Sequence, residues 1–209
     1  MEQSLNPLIG SLNALLAQAN GRDIRVKSLL GALSGKGQPA LLIIFSLPFC
    51  QPIPIPGVST AFGLILSLIG FHMSLGRKMW LPNWLLEKEL SYSFLKKVIV
   101  LSTTLINKLR FLVSTRMVWL VNSPVLSILH GLVISILSVL LALPIPIPLG
   151  NMFTASPILV FGLAILEEDG LAIMLAYALT VLSFLLLALA IWIGEEGIVA
   201  LWPSLTASS

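Results

Sequence analysis

Two short proline-rich segments are the parts of this sequence best suited to specific chemistry. The pentapeptide PIPIP occupies residues 52–56 and returns 92 residues later at 144–148. Proline lacks a backbone N–H and forces the residue before it out of helical conformation, so each segment breaks a helix and leaves carbonyl groups unpaired. The helix that follows begins with unpaired N–H groups and a partial positive charge. Such carbonyls and helix starts can bind a small solute or an ion.

Polar and small residues beside the two breaks complete the candidate site. Ser59, Thr60 and Asn151 are of the residue types that cap helix N-termini, so we expect either Ser59 or Thr60 to cap the helix after the first break and Asn151 to cap the helix after the second. Many transporters place their binding site at paired, interrupted apolar segments, one in each half of the chain. The candidate substrate-binding residues are Gln51, Pro52, Pro54, Pro56, Gly57, Ser59, Thr60, Pro144, Pro146, Pro148, Gly150, Asn151 and Thr154.

Two locations remain open for the breaks. Each is either a rigid turn at the membrane surface or a buried break that faces its twin across a polar centre. Non-helical backbone at membrane depth must be surrounded by protein or line water, so the buried arrangement implies a wet pocket. The apolar helix before the first break, residues 40–51, is about 18 Å long, which is short for a full span. Length alone does not decide between the two locations.

The composition is that of an integral membrane protein. The chain has 209 residues, 57% of them hydrophobic and 10% charged, and its mean hydropathy is +1.00. A soluble domain carries about 25% charged residues. We therefore expect an all-α integral membrane protein with two repeated proline-broken helical hairpins, re-entrant or spanning, plus interfacial amphipathic helices. The single cysteine excludes an intramolecular disulfide.

The charges predict the orientation of the chain. All 12 Lys and Arg lie between Arg22 and Arg116, so residues 1–116 carry a net charge of +8 and residues 117–209 a net charge of −5. The positive-inside rule places the basic stretches in the cytoplasm. This predicts a multi-pass plasma-membrane protein with a cytoplasmic N-terminus, in which residues 39–76 leave and return on the same side.

Three regions follow along the chain. Residues 1–38 are predicted to contain an amphipathic helix and a basic cytoplasmic linker. Residues 39–123 form the first repeat, with a broken hairpin and a basic amphipathic helix at the membrane interface. Residues 124–209 form the second repeat, with a broken hairpin and a final transmembrane helix over 171–194.

The remaining polar residues are expected to have structural roles. The acidic segment at 167–169 is predicted to be a solvated turn, and Glu195 and Glu196 to mark a helix end in water. His72 and His130 are expected to contact headgroups or helix caps rather than to relay protons.

The segments LPFCQPIPIPGVSTAFGLILSLIGFHMSLGRKMWLPNWL and LALPIPIPLGNMFTASPILVFGLAILEEDGL resemble the bacterial exopolysaccharide-synthesis family ExoD. The shared features are a proline-rich break leading into PGVST, a GR turn before WLP, a second break ending in GN, and an acidic turn ending in DG. The resemblance runs over about residues 5–195. The chain departs from the pattern by carrying PIPIP in both halves and EED in the acidic turn. The resemblance implies a bacterial inner-membrane protein linked to exopolysaccharide production. It does not supply a chemical activity.

Two functions remain after an enzyme is set aside. The only aspartates are Asp23 and Asp169, and the chain has no D-x-D, no G-x-S-x-G and no Ser–His–Asp arrangement, so we expect no enzyme, metal or cofactor. The first function is a transporter-like protein with its site at the breaks. The alternative is a membrane scaffold or regulator of an exopolysaccharide assembly complex. Expected partners are membrane lipids, a second copy in a homodimer and exopolysaccharide biosynthesis proteins, but not nucleic acid.

Overall fold

The chain is mostly helical, as the sequence predicts. The computed structural model describes residues 13–32, 37–50, 58–76, 83–87, 89–93, 96, 100, 117–143 and 149–206. The helices in these ranges are α1 (13–19), α2 (Val26–Ala32), α3 (Gly37–Ser46, extended by a 3₁₀ turn at Leu47–Cys50), α4 (Val58–Ser74), α5 (Asn83–Leu86), α6 (Val118–Asn122), α7 (Pro124–Ala142), α8 (Gly150–Glu167) and α9 (Gly170–Thr206).

Among the described residues, three helices are long and apolar enough to cross a membrane. They are α7 with 19 residues, α8 with 18 residues and the segment Gly170–Trp192 of α9. Large apolar side chains on the outer faces of α7 and α9 are exposed, among them Val125 and Leu185. This exposure suits contact with lipid acyl chains and agrees with the predicted membrane protein.

Helices α3, α4, α7 and α8 form a four-helix bundle. Each helix packs against the next one along the chain, and α8 packs against α3 to close the ring. The tightest pair is α4 and α7. Gly63 lies against Ala142 and Gly70 against Ser135, so the two helices run antiparallel. A Cβ atom on Gly63 would lie 2.6 Å from the backbone N of Ala142, and one on Gly70 would lie 2.7 Å from the backbone N of Ser135. At these two positions any Cβ atom would clash with backbone, and small residues at such interfaces let membrane helices approach closely.

The second antiparallel pair is α3 and α8. A Cβ atom on Gly162 would lie 2.9 Å from Cγ1 of Ile43 and 3.1 Å from Cβ of Leu42. The bundle core is filled by fully buried side chains of all four helices, including Phe45, Leu66 and Leu137. The four helices therefore share one core.

The region before the bundle is more structured than the predicted linker. Helix α1 ends at the Asn20–Gly21 turn, where both residues have positive φ. The two-residue strands β1 (Ile24–Arg25) and β2 (Glu89–Leu90) then pair antiparallel. The basic amphipathic helix predicted within 77–123 falls mostly outside the described residues. At the other end of the chain, α9 continues to Thr206, so the predicted helix end at Glu195 and Glu196 is wrong.

The seam between α4 and α7 gives a stability prediction. Gly70→Ala should lower the free energy of unfolding by about 1–3 kcal/mol through overpacking, although alanine raises helix propensity by about 1 kcal/mol. Gly31→Ala is the matched control, because a Cβ atom there meets nothing within 4 Å. Unfolding in mixed micelles by SDS titration measures both. Equal stability of the two variants would contradict the close packing.

Candidate functional site

The described residues that flank the two proline breaks lie at one end of the bundle. The antiparallel contact of Gly63 with Ala142 brings the start of α4 beside the end of α7. The 3₁₀ turn that ends at Cys50 packs on α8, with the Cys50 thiol near the Ser156 hydroxyl in the first turns of that helix. The starts of α4 and α8 therefore lie at the same end of the bundle as the C-terminal ends of α3 and α7.

Five of the predicted site residues are described. Ser59 and Thr154 are buried, Gly150 and Asn151 are half-buried, and Thr60 is exposed. The other eight lie outside the described residues: Gln51, Pro52, Pro54, Pro56, Gly57, Pro144, Pro146 and Pro148. The described five all lie in the first turns of α4 and α8.

The predicted capping by Ser59, Thr60 and Asn151 is wrong. Helix α4 begins at Val58 and α8 at Gly150, so the three residues lie inside the first turns of their helices. The N-cap of α8 is Leu149, which has φ 62° and offers no side-chain cap. Because its side chain has no acceptor, Leu149 leaves the first N–H groups of α8 open to another acceptor.

Thr154 bonds to the helix itself. Its Oγ1 donates to the carbonyl oxygens of Gly150 at 3.1 Å and Asn151 at 3.2 Å. This i−4 and i−3 bonding satisfies the buried hydroxyl within the first turn of α8. Thr154 therefore supports the start of the helix and is less available to a ligand than Ser59 or Asn151.

The packing of α8 on α9 shows how far the start of α8 lies from Trp192 along the bundle. The Ser183 hydroxyl donates to the Phe153 carbonyl at 2.6 Å, and the Tyr177 ring meets the Phe161 ring edge-on at 5.1 Å. These contacts set α8 and α9 antiparallel, with the start of α8 level with residue 187 of α9. Five residues separate that level from Trp192, a distance of about 8 Å.

Exposed tryptophans lie at both ends of the apolar segment Gly170–Trp192 of α9. Trp192 is 57% exposed, and Trp119 is 63% exposed on α6, which packs against the start of α9 at Gly170. Tryptophan is enriched at membrane–water interfaces, and the 23 residues from Gly170 to Trp192 rise about 33 Å, close to the thickness of a bilayer core. The start of α8 thus lies inside the level of the Trp192 ring.

The acidic turn lies at the opposite end of the bundle. Glu168 has φ 56° and is exposed, as a solvated turn predicts. Asp169 is fully buried, which corrects that prediction: its Oδ1 accepts from the backbone N–H of Leu171 at 2.9 Å and of Ala172 at 3.3 Å. The carboxylate is buried because it caps the N-terminus of α9.

A buried histidine connects three long helices near that end. His130 is 1% exposed, and its Nε2 donates to the Leu120 carbonyl at 2.9 Å. A helical carbonyl at this position normally accepts from the fourth following residue, but that residue is Pro124, which has no N–H. The Tyr177 hydroxyl donates to Nδ1 at 2.7 Å, and both rings contact Phe161.

Sequence reasoning anticipated only part of this network. The contact of His130 with a carbonyl at the end of α6 is the expected capping contact, but the side chain is buried and does not reach a headgroup. Tyr177 was missed, because nothing in a single apolar helix indicates a partner 47 residues away. His72 bonds within its own helix, from Nδ1 to the Leu68 carbonyl at 2.9 Å.

The site offers dipoles and neutral polar groups. Across the part of the chain that the structure describes, no group of three or more His, Cys, Asp or Glu side chains could hold a metal ion. Helices α4 and α8 point their positive ends towards the breaks, and α3 and α7 their negative ends. Such a site can bind a small solute or ion through backbone groups, a hydroxyl and an amide.

Comparisons with known proteins point to one family. The family model described as "Exopolysaccharide synthesis, ExoD" matches residues 8–189. Protein ExoD of Rhizobium meliloti (strain 1021) is 31% identical over 199 residues, which cover 93% of this chain and 83% of that protein. "Uncharacterized protein slr1875" of Synechocystis sp. is 29% identical over 152 residues, which cover 72% of this chain and 71% of that protein. No solved structure matches the chain.

The contact between α3 and α8 can be tested with the native cysteine. Ser156→Cys should form a disulfide with Cys50 on mild oxidation, because the two side chains already interact. Ser74→Cys is the control, since Ser74 ends α4 at the opposite end of the bundle from Cys50. Gel-shift labelling with a maleimide polymer counts the free thiols before and after reduction. Equal oxidation of both variants, or of neither, would contradict the predicted packing.

The histidine network gives a second prediction. Tyr177→Phe removes one buried hydrogen bond and should cost about 1 kcal/mol of unfolding free energy. His130→Phe should cost more, because it also leaves the Leu120 carbonyl without its donor. Tyr92→Phe, the same change away from His130, is the control. If His130→Phe proved no more costly than Tyr177→Phe in SDS titration, the role of the Leu120 carbonyl would be wrong.

Proposed function

The chain belongs to the ExoD family of exopolysaccharide-synthesis proteins, and we propose that it serves that process by binding and moving a small solute or an ion across the bacterial inner membrane. The proposed site lies at the paired proline breaks. The protein performs no covalent chemistry in this proposal. Homodimerisation and contacts with other exopolysaccharide proteins stay predictions.

One observation carries the proposal: the helix starts and ends that flank both breaks meet at one recessed end of the bundle. Gly63 against Ala142, and Cys50 against Ser156, bring these ends together. The start of α8 lies about 8 Å inside the level of Trp192. Backbone that is not helical at this depth needs protein or water around it. A wet pocket between the breaks meets that need.

The polar groups near the breaks favour recognition through dipoles. Within the described parts of α3, α4, α7 and α8, the only acidic side chain is that of Glu167, at the far end of the bundle. Ser59 and Asn151 lie near the breaks, beside two helix N-termini that carry partial positive charge. The solute is therefore held by N–H groups, carbonyls and neutral side chains rather than by a carboxylate.

The charge distribution supports an orientation for the site. The basic segment 77–116 joins the end of α4 to the start of α6, and both of these lie opposite the breaks. The positive-inside rule places that end in the cytoplasm. Helix α3 also starts there, so the N-terminus is cytoplasmic and the site opens to the periplasmic side in this proposal.

Flux through reconstituted vesicles tests the function. Wild-type protein should give saturable uptake of one member of a panel of inorganic ions, small sugars and organic acids. Pro54→Ala with Pro146→Ala should abolish that uptake, because each break gains an N–H and helical freedom. Pro124→Ala is the matched control, since Pro124 is an exposed residue at the start of α7.

Two results would count against the proposal. If the double proline variant took up solute as well as wild type, the breaks would not be part of the binding site. An absence of saturable uptake for the whole panel would favour the scaffold or regulator role instead. Size-exclusion profiles and protease resistance in detergent confirm that each variant is folded before its flux is compared.

A further inference from the structure

We infer that residues 37–76 and 124–167 are two parallel repeats related by a two-fold axis along the bundle, and that this axis passes through one shared site lined by Ser59 and Asn151. The axis follows from packing contacts, hydrogen bonds and helix limits. The role of the shared site in transport rests on the proposed function.

The first support is a matched set of contacts at a separation of 92 residues. A Cβ atom on Gly70 would meet the backbone N of Ser135, the carbonyl O of Gly131 and the side chain of Ile134 at 2.7, 2.8 and 3.1 Å. Residue 162, which is 92 positions later, is also glycine. A Cβ atom there would meet residues 43, 39 and 42 at 2.9, 3.1 and 3.1 Å. Each of these three is 92 positions before its counterpart.

The second support comes from a pair of buried serines. Ser46 and Ser138 are 92 residues apart, and both are fully buried. The Ser46 hydroxyl donates to the carbonyl of residue 42 at 2.6 Å, and the Ser138 hydroxyl to the carbonyl of residue 134 at 2.7 Å. Both serines therefore have the same bond in the same place on equivalent helices.

The helix limits agree with the same offset. The 3₁₀ turn after α3 ends at Cys50 and α7 ends at Ala142, again 92 residues apart. Helices α4 and α8 begin at Val58 and Gly150, with the same separation. Contacts, buried serines and helix limits thus share one offset, which is the offset of the two PIPIP segments in the sequence.

The direction of the axis follows from how the repeats pack. The first helix of each repeat packs antiparallel against the second helix of the other repeat: α3 on α8, and α7 on α4. Helices α3 and α7 therefore run the same way. Inverted repeats would need them to run in opposite directions. The axis is parallel to the helices, and the helix ends that flank the two breaks face the same side of the membrane.

The axis defines which side chains face each other. Helices α4 and α8 occupy one diagonal of the ring α3, α4, α7, α8. Ser59 and Asn151 are each the second residue of their helix and are 92 residues apart. The axis places them on opposite sides of one site, so that the first repeat supplies a hydroxyl and the second an amide. A solute with unlike ends suits such a site.

The symmetry is broken at the opposite end of the bundle. His130 corresponds to Gln38, but only the second repeat is followed by a helix that supplies Tyr177. Among the described residues, the buried Nε2 of Gln38 has no hydrogen-bond partner. The two halves therefore match at the breaks and differ where α9 is anchored.

Exchange of the two polar residues tests the shared site. Ser59→Asn and Asn151→Ser, made singly, should each raise the apparent KM for uptake about tenfold, the size expected when one hydrogen bond of about 1.4 kcal/mol is lost. Made together, they restore the same pair of groups across the axis. The apparent KM of the double variant should then return towards that of wild type, a coupling expected only between residues of one site.

Cross-linking tests the axis without any transport. Ser59→Cys with Asn151→Cys, in a Cys50→Ser chain, should be joined by short bifunctional thiol reagents, and each should be labelled from the periplasmic side alone. Ser59→Cys with Ser74→Cys is the control, because these positions lie at opposite ends of α4. The control pair should not cross-link, and Ser74→Cys should be labelled from the cytoplasmic side.

The outcomes separate the inference from the proposed function. Labelling of residues 59 and 151 from opposite sides, or failure of that pair to cross-link, would overturn the axis. Additive losses in the exchanged double variant would overturn the shared site. Cross-linking and one-sided labelling without saturable uptake would support the axis and count against transport.

Discussion

The close approach of α4 and α7 is the constraint on which the rest of the bundle depends. Glycines on both helices let the two backbones touch, and Gly131 packs against Ser74 at one end as Gly63 packs against Ala142 at the other. In a bilayer, apolar side chains gain little by leaving lipid for protein, so close packing of small residues supplies the association. This one antiparallel contact fixes which helix ends are neighbours, so that the start of α4 and the end of α7 lie at the same end of the bundle.

Hydrogen bonds then fix the register of helices whose surfaces are otherwise alike. The Ser67 and Ser135 hydroxyls lie 3.1 Å apart between α4 and α7, and Ser183 reaches α8 from α9. Each bond contributes about 0.6 kcal/mol by the measured average for membrane proteins, which is modest. These hydrogen bonds matter more for register than for stability, because a shift of either helix along its axis would separate the hydroxyls from these partners. The bundle thus combines apolar packing with a few polar contacts that set its alignment.

The end of the bundle that carries the helix ends beside the breaks offers helix dipoles rather than reactive side chains. Two helix starts with positive partial charge and two helix ends with negative partial charge meet there. The solute site that we propose for this member of the ExoD family rests on these dipoles. It uses no carboxylate, which would be costly to bury in an apolar bundle.

The sequence by itself determined the class of the protein, the membrane helices and the position of the breaks, because apolar run length and proline chemistry act locally. The final transmembrane helix predicted over 171–194 coincides with the segment Gly170–Trp192, which is long and apolar enough to cross a membrane. Only the tertiary structure decided that Asp169 is buried and that His130 meets Tyr177. Those contacts join residues on different helices, and the periodicity of one helix carries no information about the face of another. The pairing of α4 with α7 was likewise decided by packing, since the spacing of glycines on one helix does not indicate which other helix packs against them.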